Sequence, residues 1–476
     1  MTTREEILYK VEKAFQVTEE QLNYLVVGIN EEMRAGLNID RSMGNYKTSE
    51  LKMIPSYVVG YPTGYEQGTY LALEISGVDI YVCQVKLKGE GGKLAINQYQ
   101  YEIPDNLTAG EDVVVLIDYV ADCVADFQQR VGANPHETYS MAISLGFAVL
   151  QTSLDRGIII GLEHGFDFPN AIGCDAVDLF DRRLKDKGLA IKIVAIANDG
   201  VCTLLAHAYQ HPSTRIGVIH SAGTNCAYYD KMKNIKQFNM EKDDMIINTE
   251  WCSFGAKHLP ISEFDLLLDA QSNNPGIHYF EKMTTGMYLG EIVRQVILYL
   301  MEQKVLSFEI NVEEQDDEEE GCLLSIPYQF DTSYMYVCEV DQGDLEDTRV
   351  VLEEMCRVGE TTLRDRKIVK RVCEWVGHRA ALLLGAGIAS VVKYTVEHGV
   401  GFDKDKGLTI AISGDVYKDY PLFHPRVCEA IKNLISEDIA SRLSVGIVQH
   451  SRIVGAAIVA MMAEKMDQKD TEMSTL

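Results

Sequence analysis

Apolar residues recur at helical spacing through the first part of the chain, from Arg4 to Leu37, and acidic residues fill the positions between them. This spacing predicts one or two amphipathic helices, because residues three and four apart lie on the same helix face. The segment that follows, Asn45 to Gly64, contains Pro55 and Pro62 and is typical of a loop. The chain is therefore predicted to begin with helix and then loop.

Two runs rich in β-branched and aromatic residues follow, at 68–75 and 80–87, with Ser76-Gly77-Val78-Asp79 between them. Two such runs around a tight turn predict a β-hairpin, and a third run at 94–101 extends it into a meander. Helical spacing then covers residues 112–130. This part of the chain therefore predicts three antiparallel strands and a helix.

A second hairpin is predicted at 216–229, where Ser221-Ala-Gly-Thr224 forms the turn. Between the two hairpins lie a strand-like run at 191–197 and a helical run at 201–209, and a third strand with a turn covers 408–417. Strands mixed with long helical segments are typical of the α/β class with mixed sheets. One hairpin in each half of the chain is consistent with a duplicated sheet-and-helix unit.

The net charge of the chain limits the kinds of binding partner that we expect. The chain has 476 residues with 44 Lys and Arg against 71 Asp and Glu, which gives a net charge of −27. Such an acidic protein repels phosphate backbones and anionic lipids, so neither nucleic acid nor a membrane surface is an expected partner. No apolar run approaches the roughly 20 residues that span a bilayer, so membrane insertion is not expected either.

Cysteine usage and the N-terminus bear on the compartment. The eleven cysteines are scattered, without a Cys-x-x-Cys pair and without zinc-ligand spacing beside histidines. Scattered single cysteines are typical of reduced thiols, and the N-terminus lacks the apolar block of a signal peptide. We therefore expect a folded cytoplasmic protein with no resident metal ion.

Four longer segments carry a more specific signal. They are Asn198-Asp-Gly-Val-Cys-Thr-Leu-Leu-Ala206, Asn248-Thr-Glu-Trp-Cys-Ser-Phe-Gly255, Asn274-Pro-Gly-Ile-His-Tyr-Phe-Glu-Lys-Met283 and Gly286-Met-Tyr-Leu-Gly-Glu-Ile-Val-Arg294. They resemble the N-D-T-V-G-T-L-L-A, N-T-E-W-G-A-F-G, N-P-G-x-x-x-F-E-K-M and G-M-Y-L-G-E-I-V-R motifs of the hexokinase family. The chain looks like a single-unit eukaryotic hexokinase, in matching order from the first helix to about Met462.

The fold that this resemblance implies is the two-lobed actin-like ATPase (ribonuclease H-like) architecture, with a five-stranded mixed sheet in each lobe and a central cleft. The large lobe would comprise residues 1–65 and 200–445, and the small lobe 66–199 and 446–476. The family reaction is ATP-dependent phosphorylation of a hexose such as glucose at its 6-hydroxyl, entering glycolysis, with Mg²⁺ on the nucleotide. The sugar would lie at the cleft base and the phosphates on the two hairpin turns.

The resemblance also assigns candidate roles. A sugar hydroxyl is a poor nucleophile, and Asp199 matches the carboxylate that accepts its proton. The family's sugar-contacting positions fall on Asn198, Asn225, Glu250 and Glu281. From the residues alone, Asn198 and Asp199 could instead cap the helix that follows, and Glu250 could be a surface acid at a strand end. Four matches in their expected segments favour a sugar site.

The segments that handle phosphate depart from the family. Its first hairpin, D-L-G-G-T-N-F-R, is Glu74-Ile-Ser-Gly-Val-Asp-Ile-Tyr81 in this chain. Val78 replaces a threonine, Tyr81 replaces an arginine, Ser76 replaces a glycine, and Asp79 adds a carboxylate beside the expected phosphates. Each change weakens phosphate binding. The nucleotide-binding positions that persist in this eroded set are Gly77, Gly223, Thr224 and Gly414.

Other departures affect both ligands. Gly146 stands in place of a sugar-binding serine, Glu163 in place of a threonine, and His164 in place of the lysine that approaches sugar and phosphate. The turn of the second hairpin loses a hydroxyl to Ala222. In the third loop, D-G-S becomes Ser413-Gly-Asp415. These changes leave the sugar site partly altered as well.

The late glycine-rich motif E-D-G-S-G-K-G becomes Gln449-His-Ser-Arg-Ile-Val-Gly455, which puts bulky side chains where adenosine would lie. Its Arg452 is not expected to replace the lost cation. A charge-assisted hydrogen bond is worth roughly 1.5–3 kcal/mol, so losing a cation and two hydroxyls predicts a rate loss on the order of 10³-fold or more.

Three functions remain open from the sequence. The first is an active hexose kinase with Asp199 as base, and the second is a non-catalytic pseudokinase that binds, senses or scaffolds around a sugar. The third is a structural partner protein without either ligand. The sequence favours a hexokinase-family protein whose catalysis is strongly reduced or lost.

Overall fold

A computed structural model describes residues 3–39, 49–77, 79–145, 148–162, 166–238, 243–310, 321–400 and 407–474. Its strands form two mixed sheets and a separate two-stranded ribbon. The strands are β1 (Ile54–Val59), β2 (Gln67–Ser76), β3 (Asp79–Gly89), β4 (Lys93–Glu102), β5 (Tyr139–Leu145), β6 (Ala148–Ser153), β7 (Arg156–Gly161), β8 (Ile191–Ile196), β9 (Thr214–His220), β10 (Thr224–Lys231), β11 (Asp244–Asn248), β12 (Leu408–Ser413) and β13 (Leu443–Ile447).

The helices pack on both sheets and between them. They are α1 (Arg4–Phe15), α2 (Glu19–Leu37), α3 (Val114–Arg130), α4 (Ala176–Asp186), α5 (Asp199–Gln210), α6 (Glu263–Gln271), α7 (Tyr279–Thr284), α8 (Gly286–Glu302), α9 (Thr332–Val340), α10 (Glu346–Arg349), α11 (Leu363–Glu397), α12 (Asp415–Asp419), α13 (Phe423–Leu434), α14 (Glu437–Ala440) and α15 (Ser451–Ser474).

The five-stranded sheet has the order β4-β3-β2-β5-β8. The predicted meander is confirmed: β2 pairs antiparallel with β3 and β3 with β4, and the register places Ser76 opposite Asp79 at the first turn. The strands β5 and β8 extend the sheet in parallel with β2. The buried faces of β2 and β5 pack against α15, and α3 and α4 pack against each other beside this sheet.

The second sheet has six strands in the order β1-β11-β10-β9-β12-β13, so the expectation of five strands in each sheet is wrong here. The predicted second hairpin, β9 with β10, lies at its centre. The additional strand β1 lies inside the segment predicted as a loop and pairs antiparallel with β11. Its proline, Pro55, is tolerated because β1 is an edge strand, where a missing N–H costs little.

The N-terminal prediction resolves into two helices because each begins with its own capping box. Thr3 and Glu6 cap α1 reciprocally, and Thr18 and Gln21 cap α2 in the same way. Such boxes satisfy backbone N–H groups that the first helical turn leaves unpaired. The chain therefore stops and restarts the helix between Phe15 and Glu19.

The longest helix, α11, forms the centre of the core on the six-stranded sheet's side. It contacts α2, α8, α9 and α13. Within the described residues it is the one helix that passes a length-and-composition test for a membrane span, and 83% of its apolar window is buried inside the protein. Its charged first turn, with the capping pair Thr362 and Asp365, sets its start.

The two sheets meet through α5 and α15, which pack closely against each other. A side chain at Gly455 would overlap the backbone of Cys202, so glycine permits this approach. The five-stranded sheet comprises strands between residues 67 and 196, and β13 extends across the predicted division at 446. The lobe boundaries themselves stay predictions.

Candidate functional site

Asn198 and Asp199 lie where β8 ends and α5 begins. The Asn198 Oδ1 atom accepts the backbone N–H groups of Gly200 at 2.9 Å and Val201 at 3.4 Å, so Asn198 is the N-cap. The Asp199 Oδ1 atom accepts the Gly200 N–H at 2.7 Å. The capping role that the sequence left open is thus present, and both side chains are half-buried at the start of the helix.

Glu250 follows β11 and holds a left-handed backbone conformation, with φ of 50°. Its Oε1 atom accepts two amide N–H groups, from Asn225 at 2.8 Å and from Asn248 at 2.7 Å. Burial raises the pKa of the Glu250 carboxyl, and the charge of Asp199 raises it further, while the two amides act in the opposite direction. Glu250 is therefore a half-buried, hydrogen-bonded acid and not a surface residue.

Two neighbours of Glu250 were not predicted. Asn248 supplies the second amide, and Cys252 places its Sγ atom 3.7 Å from Glu250 Oε2. Burial, followed by the charge of Glu250, raises the pKa of the Cys252 thiol, which keeps it neutral. The available signal was the cysteine itself, because it stands where the family motif has glycine.

Glu281 comes from α7 and contacts the turn of the second hairpin. Its Oε2 atom accepts the backbone N–H of Thr224 at 3.1 Å, and its Oε1 atom lies 3.5 Å from Nδ1 of His278. A Cβ at Gly223 would lie 2.9 Å from the same carboxylate, so a larger residue there would displace the Glu281 side chain. Glu281 and the second turn are thus held together.

Asp199 connects the predicted sugar side with the predicted phosphate side. Its charge raises the pKa of Glu250 on one side and contributes to the raised pKa of Glu74 on the other, where burial is the larger cause. Carboxylates affect each other in this way only at short range. Asp199 therefore lies close to Glu250 and also close to Glu74.

The first hairpin turn opens towards solvent. Gly77 has φ of 59°, and a Cβ added there would meet nothing within 4 Å. The Asp79 Oδ1 atom accepts an N–H from the side chain of Gln100 on β4 at 2.8 Å, so one carboxylate oxygen is engaged across the sheet. Val78 lies outside the described residues.

The persisting positions on the second and third loops have structural partners. The hydroxyl of Thr224 is buried, donates to the Ile219 carbonyl at 2.9 Å and accepts the Trp251 indole N–H at 3.0 Å. Gly414 has φ of 129°, and a side chain there would overlap the backbone of His220. We call the region around Asp199, Glu250, Glu281 and Glu74 the crevice. Thr224 and Gly414 shape it more than they present polar groups to it.

Arg452 reaches into the crevice from the first turn of α15. Its Nη1 atom donates to Oε1 of Glu74 at 2.8 Å and lies 3.4 Å from the hydroxyl of Ser76. Burial raises the pKa of Glu74, and the nearby guanidinium opposes that shift. A cation is therefore present beside the first hairpin. Arg452 supplies it, although the sequence did not predict that this residue replaces the lost cation.

The altered positions Gly146, Glu163 and His164 lie outside the described residues. Among the residues that are described, no three His, Cys, Asp or Glu side chains come together as a metal-ion site.

Comparison with known proteins identifies the family. Sequence models of the hexokinase family match residues 7–209 and 215–462. Hexokinase-1 of Schizosaccharomyces pombe is 30% identical over 471 residues, which cover 97% of this chain and 92% of that protein. Hexokinase-1 of Saccharomyces cerevisiae is 33% identical over 475 residues, with 96% and 92% covered.

Solved structures agree. The hexokinase from Schistosoma mansoni complexed with glucose has a TM-score of 0.81 and 30% identity, covering 97% of this chain and 100% of its own. A second hexokinase crystal structure has a TM-score of 0.84 at 24% identity, which supports the fold alone. The expected two-lobed actin-like ATPase fold is confirmed. With family models and relatives that match nearly its whole length, the chain belongs to the hexokinase family.

Proposed function

We propose that this protein binds a hexose, with glucose the expected ligand, and phosphorylates its 6-hydroxyl from Mg-ATP at a strongly reduced rate. The position of Asp199 carries this proposal: it lies at the start of α5, close to Glu250 on the sugar side and to Glu74 on the first hairpin. A base at that boundary is where a sugar hydroxyl would meet a phosphoryl group.

The sugar side supports hexose binding. Both amide donors to Glu250 bind its Oε1 atom, which leaves Oε2 with only a thiol 3.7 Å away in the described structure. A half-buried carboxylate oxygen with a weak partner is a strong acceptor for a ligand hydroxyl. Asn225, Glu281 and Asp199 add further polar groups at the same crevice.

The phosphate side supports a reduced rate. Tyr81 stands where the family motif has arginine, and the Thr224 hydroxyl is turned into the protein. Burial lowers the pKa of Arg452, but the nearby charges of Glu74 and Asp199 outweigh it and raise the pKa. The fixed charges around that guanidinium are thus net negative. Phosphoryl transfer depends mainly on neutralising phosphate charge, so this side is poorly equipped for it.

The proton transfer needs no other group. Asp199 would accept the proton of the 6-hydroxyl as its oxygen bonds to the γ-phosphorus and ADP leaves. Mg²⁺ would arrive with the nucleotide and neutralise part of its charge. Because the base contributes roughly 10²–10⁴-fold while charge neutralisation contributes more, a well-placed Asp199 alone leaves turnover low.

Steady-state turnover with glucose and Mg-ATP, measured at high enzyme concentration, tests the proposal. We expect about 0.01 s⁻¹ or less, a thousandfold below a typical enzyme at roughly 10 s⁻¹. The variant Asp199→Asn should remove about 10²–10⁴-fold of whatever rate is measured, which assigns it to this site. An ordinary hexokinase rate would refute the reduced activity, whereas glucose binding without turnover would identify a pseudokinase.

We further propose a cytoplasmic location. Every cysteine of the chain lies within the described residues and has a free thiol, and most are buried. This supports a reducing compartment. Fractionation of cells that express a tagged protein tests it.

A further inference from the structure

The ion pair between Arg452 and Glu74 joins distant parts of the chain. Glu74 lies near the end of β2, and its side chain is 10% exposed. Arg452 lies on the first turn of α15, and its side chain is 41% exposed. The carboxylate is therefore the more buried member of the pair, and the arginine side chain is the one that solvent reaches.

The register of the first hairpin explains why this pairing matters. Glu74 lies directly opposite Tyr81 across β2 and β3. The family motif has an acid and an arginine at these two positions, so a cation would be held across the strands. In this chain the tyrosine leaves that position uncharged, and Arg452 brings a guanidinium to Glu74 from another element.

The guanidinium has more capacity than this pairing uses. Arginine offers five N–H donors in a planar fork, whereas Nη1 alone accounts for the contacts with Glu74 and Ser76. Planar forks bind phosphate oxygens in pairs. The neighbouring Ser451 hydroxyl donates to the Ser413 hydroxyl on β12 at 2.9 Å, which fixes the start of α15 against the other sheet.

We propose that Arg452 is the polyphosphate-binding cation of this crevice and that Glu74 is its internal competitor, an inference that rests on the proposed function. The carboxylate occupies the Nη1 atom of the guanidinium, a donor that an anion would also use. A polyphosphate must then share Arg452 with a fixed negative charge, which weakens its binding without blocking the crevice. Glu74 thus accounts for part of the weak nucleotide binding that we propose.

Inorganic tripolyphosphate is the probe, because it carries the polyphosphate chemistry without adenosine contacts. Its binding is measured by calorimetry at low salt, where charge effects are least screened. We expect Glu74→Gln to bind it at least about tenfold more tightly than the natural chain, and Arg452→Gln to show no measurable binding. The matched controls are Glu397→Gln and Arg34→Gln, which neutralise an exposed ion pair of 2.8 Å elsewhere and should change nothing.

Thermal unfolding of each variant without ligand establishes that it is folded. If Glu74→Gln does not fold, Glu74→Asp keeps the charge but shortens its reach, and should still tighten binding. Unchanged binding in a folded Glu74 variant would overturn the competitor role. If Arg452→Gln bound tripolyphosphate as tightly as the natural chain or more tightly, the whole proposal would be overturned, because Arg452 would then not be the binding cation. An ordinary turnover rate in the natural chain would refute the reduced activity but leave these titrations decisive for Arg452.

Discussion

The substitution Glu250→Gln separates the stability of the site from its function. Glutamine keeps one acceptor oxygen, and both Asn225 and Asn248 donate to the same oxygen of Glu250, so both amide bonds can persist. The change removes the half-buried charge and replaces the other oxygen, beside Cys252, with an amide nitrogen. It therefore alters charge with little change of shape.

The sign of the stability effect follows from the raised pKa of Glu250. Burial raises the pKa above its usual 4.5 even though two amides favour the charged form, so the charge is less favourable in the folded protein than in the unfolded chain. The stability that the neutral carboxyl contributes is fully present when the pH is below the usual pKa. It is lost as the pH rises through the pKa of Glu250 in the folded protein. Glu250→Gln should therefore stabilise the ligand-free protein at pH 7–8, and the gain should shrink towards pH 4.

Sugar affinity should change in the opposite direction. A hydrogen bond to a charged acceptor is worth roughly 1.5–3 kcal/mol, and about 1.4 kcal/mol is a factor of ten, so Glu250→Gln should weaken glucose binding roughly ten- to hundredfold. Trp251 adjoins Glu250 and is one of only two tryptophans in the chain. A titration of its fluorescence in a Trp375→Phe background reports binding directly.

The matched control is Asp230→Asn at the far end of β10. Burial also raises the pKa of Asp230, which accepts from the Asn234 amide at 2.7 Å and from the Tyr228 hydroxyl at 2.7 Å. It should show a pH-dependent stability change of the same sign with unaltered glucose affinity. The reasoning fails if Glu250→Gln leaves glucose affinity unchanged, or if both variants weaken it equally.

Two further predictions concern the scaffold. Arg379 and Asp265 form a fully buried pair with two hydrogen bonds, so Arg379→Leu should cost about 3–5 kcal/mol in urea unfolding. The exposed Arg34→Leu should cost under about 1 kcal/mol, and equal costs would contradict the argument. Gly414→Ala should lower the unfolding temperature more than Gly77→Ala, because only the former combines positive φ with a steric overlap. A reversed order would contradict it.

Local patterns predicted the elements that carry their own signals. The break at Ser76 to Asp79 is the observed first turn, and the run at 216–229 is the observed β9–β10 hairpin. The predicted meander also matches, and the helix cap at Asn198, which the residues left open as an alternative, is present. These features depend on residues close in sequence, so the chain itself reveals them.

Features that depend on distant residues were missed. The strand Ile54–Val59 contains Pro55 and lacks a clear alternating pattern, and it exists because β11 offers a free edge. Arg452 lies 378 positions from its partner Glu74, so no local pattern could link them. Comparison with the family motif shows that a cation is lost at Tyr81. Only the packing of α15 on the first hairpin shows that Arg452 supplies another cation there.

The two glutamates of the crevice offer a test of how charge acts there. Glu74→Gln and Glu250→Gln each remove one negative charge from a protein whose net charge is −27. If the overall electrostatic field governed ligand binding, neither substitution would change the affinity for an uncharged sugar. Both substitutions would change the affinity for an anion to the same extent. Local hydrogen bonding predicts a different outcome, because Glu250 accepts from ligand and amides while Glu74 competes for Arg452. The first substitution should then improve tripolyphosphate binding alone, and the second should mainly weaken glucose.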